Sequence, residues 1–433
     1  MSAPLHLAVP RDHAVSVTLL DAPAVLPRVG TESLTGPVRH DLPTHEATFG
    51  ARADHDLAVD DLLDQLQQIG LTGRGGGHFP VAAKWRSVLA AGPGGVVVAN
   101  AAEGEPGCAK DAVLLQTRPH LVLDGLVTAV ETIGATEGIV WIHAGADATA
   151  RSVAKALAER RDAGLDDPPI RVVLAPDRYL SGEATGIIRT LEGGPTLPRY
   201  VDNPAQPWST GHRPVLVQNA ESLARVGVLV LRGATAYPST SLLTVISGTH
   251  RVVVEAGPES TFGDVVAEAW VSPDGRGPQA VLLGGYGGSW VAWERLLALP
   301  VDQAALRPFG LSLGAGLIGP LPTGACGLEE TARLVRYLAG QSARQCGPCV
   351  FGLAAVADLT EALSGGRLTG SGRRRLDRFT AEISGRGACR HPDGAIRMLA
   401  SALDVFDADV HRHRRGRTCD ARLYDVMPMP EEH

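Results

Sequence analysis

The chain has 433 residues, of which 44% are hydrophobic, and a formal net charge of −7. This length allows two or three domains with a sizeable core, and the composition is that of a globular protein. The negative net charge offers no basic face for a nucleic-acid backbone, although the segment HRHRRGR at 411–417 is locally positive. No stretch approaches the roughly 18 uninterrupted apolar residues of a membrane-spanning helix, and the N-terminus lacks the pattern of a signal peptide.

The periodicity of apolar residues divides the chain into five regions. Residues 1–55 carry scattered Pro and Gly and predict a loosely organised N-terminal extension. Residues 56–237 alternate helical and strand patterns, which predicts a layered α/β domain with a mainly parallel sheet. Residues 238–322 are β-rich with one helical segment and predict a small α+β module. Residues 323–410 contain four amphipathic helices joined by glycine-rich turns, which predict a helical bundle, and 411–433 form a C-terminal tail.

A glycine-rich stretch, GRGGGHF at 73–79, follows the first predicted helix of the α/β region. Successive glycines let backbone N–H groups turn toward one point, which can hold a phosphate or the edge of a flavin. The stretch is neither a P-loop nor a GxGxxG fingerprint, because His78 stands in place of the third glycine. A flexible loop is the simpler alternative. Lys84 favours the binding interpretation, because it is one of few lysines in an arginine-rich chain and lies within reach of an anion held by the loop.

Polar side chains follow an apolar strand in NAAEGEPGCAKD at 100–111. In open α/β sheets the carboxyl ends of the strands face the ligand crevice, so Asn100, Glu103 and Glu105 are candidate ligand-binding residues. A solvated acidic turn is the alternative. Similar patterns recur later in the chain, at Glu183, Asn219 and Glu221. The helix dipole alone could explain the last of these.

Six cysteines in a chain without a secretion signal favour ligands, catalytic thiols or core residues over disulfides. Cys346 and Cys349 form a C-x-x-C pair, and Cys389 lies in the loop before the last helix. Three thiolates brought together between bundle helices could hold iron or zinc, and inert buried thiols are the alternative. The remaining cysteines, Cys108, Cys326 and Cys419, have no partner at ligand spacing and are expected to be structural.

Taken together, these stretches resemble the flavin-bearing (F) subunit of respiratory NADH:quinone oxidoreductase (complex I), a family shared with NAD-linked hydrogenases and formate dehydrogenases. The family motif GRGGAGFPxxxKW corresponds to GRGGGHFPVAAKW, and NADEGEPGxxKDR corresponds to NAAEGEPGCAKDA. YxCGEETALxxSLEG corresponds to YLSGEATGIIRTLEG, and NNVETLA to QNAESLA. The cluster motif SCGxCxPCREG corresponds to SARQCGPCVFG, and the later CALGD-type loop to CRHPDG. The matches keep the family's order over residues 56–405.

The resemblance implies an α/β chain with a Rossmann- or flavodoxin-like FMN domain at 56–237, a ubiquitin-like β-grasp module at 238–322 and a C-terminal four-helix bundle with an iron–sulfur cluster at 323–410. It also implies an NADH dehydrogenase-like enzyme, in which NADH delivers a hydride to FMN and single electrons pass to the cluster. The expected partner is an iron–sulfur subunit of ferredoxin-like or thioredoxin-like type. The expected location is cytoplasmic, at the periphery of a membrane complex.

The resemblance assigns roles to individual residues. Glu105 and Phe79 would be the catalytic residues, lining the nicotinamide side. The cluster ligands would be Cys346, Cys349 and Cys389. The FMN-binding residues would be Gly73, Arg74, Gly75, Lys84, Asn100, Glu103, Tyr179, Gly182, Glu183, Asn219 and Ser222.

Three departures from the family pattern concern the flavin and the dinucleotide. Ala102 and Ala184 replace two carboxylates, and Ala109 replaces an aromatic residue that would give the dinucleotide a stacking surface. FMN binding is less affected by these changes than NADH binding. Two alternative functions follow: a homologue that keeps FMN but takes electrons from another donor, and a non-catalytic assembly or binding module.

A fourth departure concerns the cluster. Ala343 occupies the position of the family's first cysteine, although a four-iron cluster normally has four protein thiolates. The possibilities are a 4Fe-4S cluster with a substitute ligand, a 3Fe-4S cluster, or a lost cluster. The candidate substitute ligands are His391 and Cys326, and an imidazole can ligate iron as it does in Rieske centres.

Overall fold

The computed structural model describes residues 33–52, 58–201, 208–211, 213–237, 239–423 and 425–430, and the backbone of 16–19. Two sheets and a C-terminal set of helices form three units in contact with one another. No helix in these described ranges is both long and apolar enough to span a bilayer.

The first unit is built on a sheet with strand order β4-β3-β2-β6-β5. The four longer strands are parallel, and the short β5 pairs antiparallel with β6 at the edge. Their valine- and isoleucine-rich sequences are typical of strands that are covered on both faces. The strands are β2 (Val96–Asn100), β3 (Glu137–His143), β4 (Ile170–Ala175), β5 (Ser209–Thr210) and β6 (Arg213–Asn219).

Among the described residues, eight α-helices belong to this unit. They are α1 (Leu42–Phe49), α2 (Val59–Gln68), α3 (Val81–Leu89), α4 (Lys110–Thr117), α5 (Pro119–Thr132), α6 (Asp147–Asp162), α7 (Ala184–Leu191) and α8 (Ala220–Arg232). The largest apolar core lies between the sheet and the helices on one face, and a smaller core that includes Trp141 lies on the other. Strands β2 and β6 end side by side at Asn100 and Asn219, so the polar residues that follow them meet at one edge of the sheet.

Helix α1 and strand β1 (Ser16–Leu19) lie within the interval that the sequence predicts to be loosely organised. Asp41 caps α1 by accepting a hydrogen bond from the backbone N–H of Thr44. His45 of the same helix bonds the Asp124 carboxylate at 2.7 Å, and Arg160 bonds its other oxygen at 2.7 Å. The prediction missed this helix because its anchoring contacts come from residues far along the chain.

The second unit is a six-stranded sheet of order β1-β8-β7-β11-β9-β10. Strands β7 and β8 form an antiparallel hairpin, and β11 pairs parallel with β7, which puts the last strand in the middle of the sheet. The later strands are β7 (Ser241–Ser247), β8 (His250–Ala256), β9 (Ala280–Leu283), β10 (Ser289–Ala292) and β11 (Leu317–Leu321). The helices are α9 (Phe262–Ala269), α10 (Trp293–Leu296) and α11 (Gln303–Leu306).

The third unit contains the four long helices that the sequence predicts and a short fifth one. They are α12 (Gly327–Gly340), α13 (Leu353–Ser364), α14 (Gly370–Ile383), α15 (His391–Val405) and α16 (Asp407–His413). A π-helical turn at Pro348–Gly352 precedes α13 and contains Cys349. The following segment packs back on the bundle, since the backbone N–H groups of Val426 and Met427 donate to the Glu330 carboxylate.

Helices α5 and α8 approach backbone to backbone over the sheet, which requires glycine. A Cβ atom on Gly125 would lie 1.9 Å from the carbonyl oxygen of Leu223. We expect Gly125→Ala to force the helices apart at a cost of about 1–3 kcal/mol and to lower the melting temperature. Gly340→Ala is the matched control, because it is also helical and has open space around its Cα. Equal melting temperatures for the two variants would contradict this packing.

Candidate functional site

A cavity of about 890 Å³ lies where the three units meet. The first unit contributes the glycine-rich loop and the residues after β2 and β6. The second unit contributes the glycine-rich turn between β9 and β10. The third contributes the start of α15, including Cys389, His391 and Arg397. The cavity therefore joins the glycine-rich loop to one of the three candidate cluster cysteines.

The loop at 73–77 is held as a closed turn. Gly73 N–H donates to the Phe79 carbonyl at 2.9 Å, and Arg74 N–H donates to the buried Ser222 hydroxyl at 2.9 Å. Gly76 has a φ of 103°, which favours glycine. Nothing lies within 4 Å of a Cβ built on Gly77, so the space beside this glycine is open, and His78 follows as a side chain of the cavity lining. This is a cradle of backbone amides into which a phosphate or a flavin edge fits.

Lys84 supplies a cation beside that cradle. Its Nζ donates to the Val217 carbonyl and lies 5.2 Å from the centre of the Trp208 ring. Burial lowers the pKa of Lys84 to about 8. No carboxylate lies within 4.0 Å of this ammonium group among the described residues, so its charge is available to a bound anion.

A buried ionic network lies directly under the loop. Lys110 Nζ contacts the carboxylates of Asp111 at 2.9 Å and Glu221 at 3.0 Å. Burial would raise the pKa of Glu221, but Lys110, Arg225 and Arg74 together lower it to about 2. Burial would lower the pKa of Lys110, and the two carboxylates raise it instead. Lys110 and Glu221 are therefore charged at neutral pH.

This network orients the polar side chains at the ends of β2 and β6. Asn219 Nδ2 donates to Asp111 at 2.6 Å, and its Oδ1 accepts from the backbone N–H of Glu221 at the start of α8. Asn100 Nδ2 donates to the Gly182 carbonyl at 2.9 Å. Both amides have fixed orientations at the cavity wall, as a site for a planar heterocycle requires.

Two of the predicted carboxylates also cap helices. Glu103 accepts hydrogen bonds from the backbone N–H groups of Asp111 and Ala112 at the start of α4, both at 3.0 Å. Glu183 accepts from the Gly186 N–H at 3.0 Å at the start of α7. Burial, followed by the neighbouring Asp111, raises the pKa of Glu103 to about 7. Both side chains line the cavity, but helix N–H groups occupy part of their bonding capacity.

Glu105 has a different environment. Its Oε1 accepts from the Tyr179 hydroxyl and its Oε2 from the Tyr286 N–H, both at 2.8 Å. Burial raises the pKa of Glu105 to about 7, against these hydrogen bonds. Gly285 permits the contact, because a Cβ there would lie 2.6 Å from the carboxylate. Glu105 is thus a carboxyl group on the cavity wall that titrates near neutral pH.

The remaining predicted residues lie around this cavity. Phe79 lies at the rim with 59% of its surface exposed, and the Ala102 and Ala184 side chains line the wall. Ala109 corrects one expectation, since it is buried against Val113 and Val253 and is not part of the cavity lining.

The three candidate cluster cysteines are neighbours. Burial raises the pKa of Cys349 to about 12, with further contributions from Cys346 and Cys389. Burial raises the pKa of Cys389 to about 11, and Glu183 and Cys346 add to the effect. Cys346 and Cys389 are both close enough to act on the pKa of Cys349, and three neighbouring thiols fit an iron–sulfur cluster, whose charge would favour the thiolates.

The two candidates for a fourth ligand differ in position. His391 lines the cavity next to Cys389, and its Nε2 bonds the Leu338 carbonyl at 2.8 Å, which leaves a lone pair on Nδ1. Cys326 lies at the other end of α12 from the cysteine turn. It precedes α12, whereas Cys346 follows that helix, and 14 residues of helix span about 20 Å. Its sulfur lies instead 3.8 Å from His413.

Several residues of the site were missed from the sequence. Lys110 and Asp111 carry the ionic network, and the rarity of lysine in this chain was a usable signal for the first of them. Tyr286 fixes Glu105 from the GGYGG turn, whose glycine content was a second signal. Arg397 bonds the Gly287 carbonyl from α15, and no local pattern distinguishes it from other surface arginines.

Comparison with known proteins identifies the family. Residues 66–228 match the sequence model of the Nuo51 FMN-binding domain, and residues 329–413 match that of the NADH-ubiquinone oxidoreductase-F iron-sulfur binding region. The two matches together cover more than half of the chain. The chain belongs to the flavin-bearing F-subunit family. It is a flavoprotein subunit for electron transfer, of the oxidoreductase class, with FMN and an iron–sulfur cluster as its cofactors.

Curated relatives of this F-subunit homologue extend over most of its length. It is 28% identical to the F 2 subunit of NADH-quinone oxidoreductase from Rhizobium meliloti, over 88% of this chain and 96% of the relative. It is 24% identical to the HndC subunit of the NADP-reducing hydrogenase from Solidesulfovibrio fructosivorans, over 85% and 79% of the two chains. These relatives are subunits of larger enzymes, so partner subunits are expected here as well.

A solved structure shares the fold. The F-subunit homologue matches the NAD+-reducing [NiFe]-hydrogenase in its H2-reduced state with a TM-score of 0.74 and 25% identity. The match covers 85% of this chain and 64% of the hydrogenase chain, so this protein spans less than two thirds of that chain's length. The predicted α/β fold class is confirmed.

The raised pKa of Glu105 predicts a pH-dependent stability. Between about pH 4.5 and 7 the unfolded chain loses this proton before the folded chain does, so rising pH lowers wild-type stability. Glu105→Gln removes this effect. We expect the flavin-free variant to match the wild type near pH 4.5 and to exceed it by on the order of 1 kcal/mol at pH 8.

Thermal melts of both flavin-free proteins across this pH range measure the difference. Glu268→Gln, on the exposed face of α9, controls for the loss of one surface carboxylate. A constant difference between wild type and Glu105→Gln at every pH would contradict the assignment.

Proposed function

We propose that this F-subunit homologue oxidises NADH in the cavity between its three units and passes the electrons to an iron–sulfur partner subunit. The observation that carries the proposal is the continuity of the cavity, which joins the amide cradle at 73–77, the carboxyl group of Glu105 and the thiol of Cys389. Bound FMN would accept a hydride from NADH and release electrons one at a time. The protein supplies the binding site and its electrostatics.

The cradle and its cations would hold the phosphate end of FMN. Gly75, Gly76 and Gly77 line the cavity together with the Lys84 ammonium group, and no carboxylate lies within 4.0 Å of that group among the described residues. Ser222 holds the loop through Arg74 and does not face the ligand itself. Asn100 and Asn219 would contact the ring system of FMN, because hydrogen bonds to the Gly182 carbonyl and to Asp111 fix the orientation of their amide groups.

Glu105 and Phe79 would define the nicotinamide side. Glu105 keeps its position between Tyr179 and Tyr286. Because Ala102 and Ala184 replace two carboxylates of the family pattern, two negative charges are missing from its surroundings. A carboxyl group with a pKa of about 7 can stay neutral beside a reduced flavin or a dinucleotide. The exposed Phe79 ring offers an apolar surface at the cavity entrance.

The thiolates of Cys346, Cys349 and Cys389 would hold the cluster, and His391 is the proposed fourth ligand of a 4Fe-4S form. Its ring is kept in one orientation by the Leu338 carbonyl and by contact with the Tyr179 ring at 5.4 Å. A 3Fe-4S cluster with cysteine ligands alone is the other form that this set supports. The comparisons give no support to a non-catalytic assembly module.

The partner is proposed to dock beside the cysteine turn. Val350 and Phe351 follow Cys349 directly, and 44% and 75% of their surfaces are exposed. Exposed apolar side chains next to a redox centre suit a subunit interface. We propose a ferredoxin-like or thioredoxin-like iron–sulfur subunit there. A cytoplasmic location at the periphery of a membrane complex remains part of the proposal.

The visible spectrum of anaerobically purified protein tests the donor. We expect a flavin spectrum that bleaches on addition of NADH, because hydride transfer removes the absorption of oxidised flavin. A chemically reduced sample provides the fully bleached reference. A flavin that dithionite reduces but NADH does not would contradict NADH as the donor and favour another reductant.

Loss of the lysine beside the cradle should release the flavin. A charge-assisted hydrogen bond contributes about 1.5–3 kcal/mol, so we expect Lys84→Ala to weaken FMN binding by about 10- to 100-fold. Lys155→Ala is the matched control, because Lys155 lies on the exposed face of α6. Flavin released on heat denaturation gives the FMN content of each protein. Equal content in the two variants would refute the role of Lys84.

A further inference from the structure

Two cysteines and a histidine come together at the end of the helical bundle opposite the cysteine turn. Cys326 precedes α12, His413 ends α16, and Cys419 lies in the segment after it. The two Sγ atoms and the His413 nitrogen all lie within 4.8 Å of one another. His413 Nε2 is 3.8 Å from Cys326 Sγ and 3.1 Å from Cys419 Sγ. Residues 87 positions apart therefore converge on one point.

The hydrogen bonds of His413 prepare its Nε2 as a ligand. Nδ1 lies 2.7 Å from the Ser364 carbonyl, which can only accept, so Nδ1 carries the proton. Nε2 therefore carries the lone pair, which accepts a hydrogen bond from the Cys419 N–H at 3.1 Å beside the two sulfurs, and a metal ion would replace that hydrogen bond. A histidine that donates its other N–H to a backbone carbonyl is the usual arrangement at a metal site.

Burial and the helix terminus favour the same interpretation. His413 is fully buried, and Cys326 has 1% of its surface exposed, whereas Cys419 is half-buried. Cys326 occupies the N-cap of α12, whose backbone N–H groups act against the rise that burial causes in the pKa of this thiol. Zinc would take the place of the Cys419 N–H as the partner of the imidazole lone pair and would bind both thiols as thiolates.

We propose that Cys326, His413 and Cys419 bind a zinc ion, separate from the iron–sulfur site. A tetrahedral zinc with ordinary bond lengths sets sulfur–nitrogen and sulfur–sulfur separations of about 3.6–3.8 Å. The observed sulfur–nitrogen separations reach this geometry with shifts of a few tenths of an ångström. Thiolate and imidazole donors suit zinc. No fourth His, Cys, Asp or Glu atom joins the group among the residues described, and half-buried Cys419 leaves access for a water ligand.

The ion would fasten the C-terminal segment to the bundle. After Cys419 the chain follows the bundle surface, where Arg422 N–H donates to the Gly324 carbonyl and Val426 N–H to Glu330. It then reaches Pro428, whose carbonyl accepts from the Tyr286 hydroxyl. Zinc would join His413 at the end of α16 to Cys419. It would thereby close the loop that contains the exposed, arginine-rich residues 414–417.

Metal analysis of the full chain tests the proposal. The protein is produced without a histidine tag in zinc-supplemented medium, and zinc and iron are measured together. We expect about one zinc per wild-type chain and at least about a fivefold loss in Cys419→Ser and His413→Gln. Cys108→Ser and His411→Gln are matched controls, since they remove one buried thiol and one exposed imidazole outside the group. Both controls should keep the zinc, and iron should be unchanged in all four variants.

Two measurements on the wild type keep the test independent of variant folding. Zinc-edge X-ray absorption should show two sulfur neighbours at about 2.3 Å and lighter atoms at about 2.0 Å. Removal of zinc with a chelator, at constant iron, should speed tryptic cleavage within residues 414–417. Wild-type zinc below about 0.2 per chain, a zinc shell without sulfur, or a Cys326–Cys419 disulfide in the purified protein would overturn the proposal.

Discussion

The buried contact between Lys110 and Glu221 is the constraint on which the site depends. Charges taken out of water are tolerated only when each has a partner, and here each ion has more than one. Glu221 also accepts from Arg225 and from the Leu242 N–H of β7, so one carboxylate holds α8, α4 and the second sheet together. The loop with the amide cradle rests on this arrangement through Arg74. The position of the cradle is thus set by ion pairing beneath it, because its own glycines have little preference for one conformation.

The acidic residues along the cavity show that one residue type can serve two purposes. Glu103 and Glu183 both face helix N-termini, where backbone N–H groups satisfy a carboxylate and hold it in place. Glu105 has no helix terminus to stabilise its charge, only a tyrosine hydroxyl and backbone N–H groups of a turn, and burial then raises its pKa. Carboxylates spaced two residues apart along one turn therefore have different partners and different roles. This difference follows from where the turn places each side chain, not from sequence alone.

Short stretches of sequence predicted those features of the structure that depend on residues close together in the chain. The strands at β2, β3 and β4, the helices at α5 and α8 and the bundle helices follow from apolar periodicity, and the family motifs located the glycine-rich loop and the three candidate cluster cysteines. Helix α1 was not predicted, because its stability comes from the contact of His45 with Asp124, which lies 79 residues away. For Cys326 the sequence allows a structural thiol or a cluster ligand, since spacing along the chain carries no information about its approach to His413. Ala109 was misplaced for the same reason, as the β7–β8 hairpin that covers it belongs to another unit.

The C-terminal segment packs behind the glycine-rich turn that lines the cavity, without lining the cavity itself. The Tyr286 hydroxyl donates to the Pro428 carbonyl, and the same residue's N–H donates to Glu105. Met427 is fully buried, and its sulfur would lie 2.6 Å from a Cβ placed on Gly319 of the central strand β11. A displacement of this segment would expose Met427 and remove the acceptor of Tyr286, and so would alter the group that fixes Glu105. The position of the C-terminal segment is thereby linked to the ionisation of Glu105 through Tyr286.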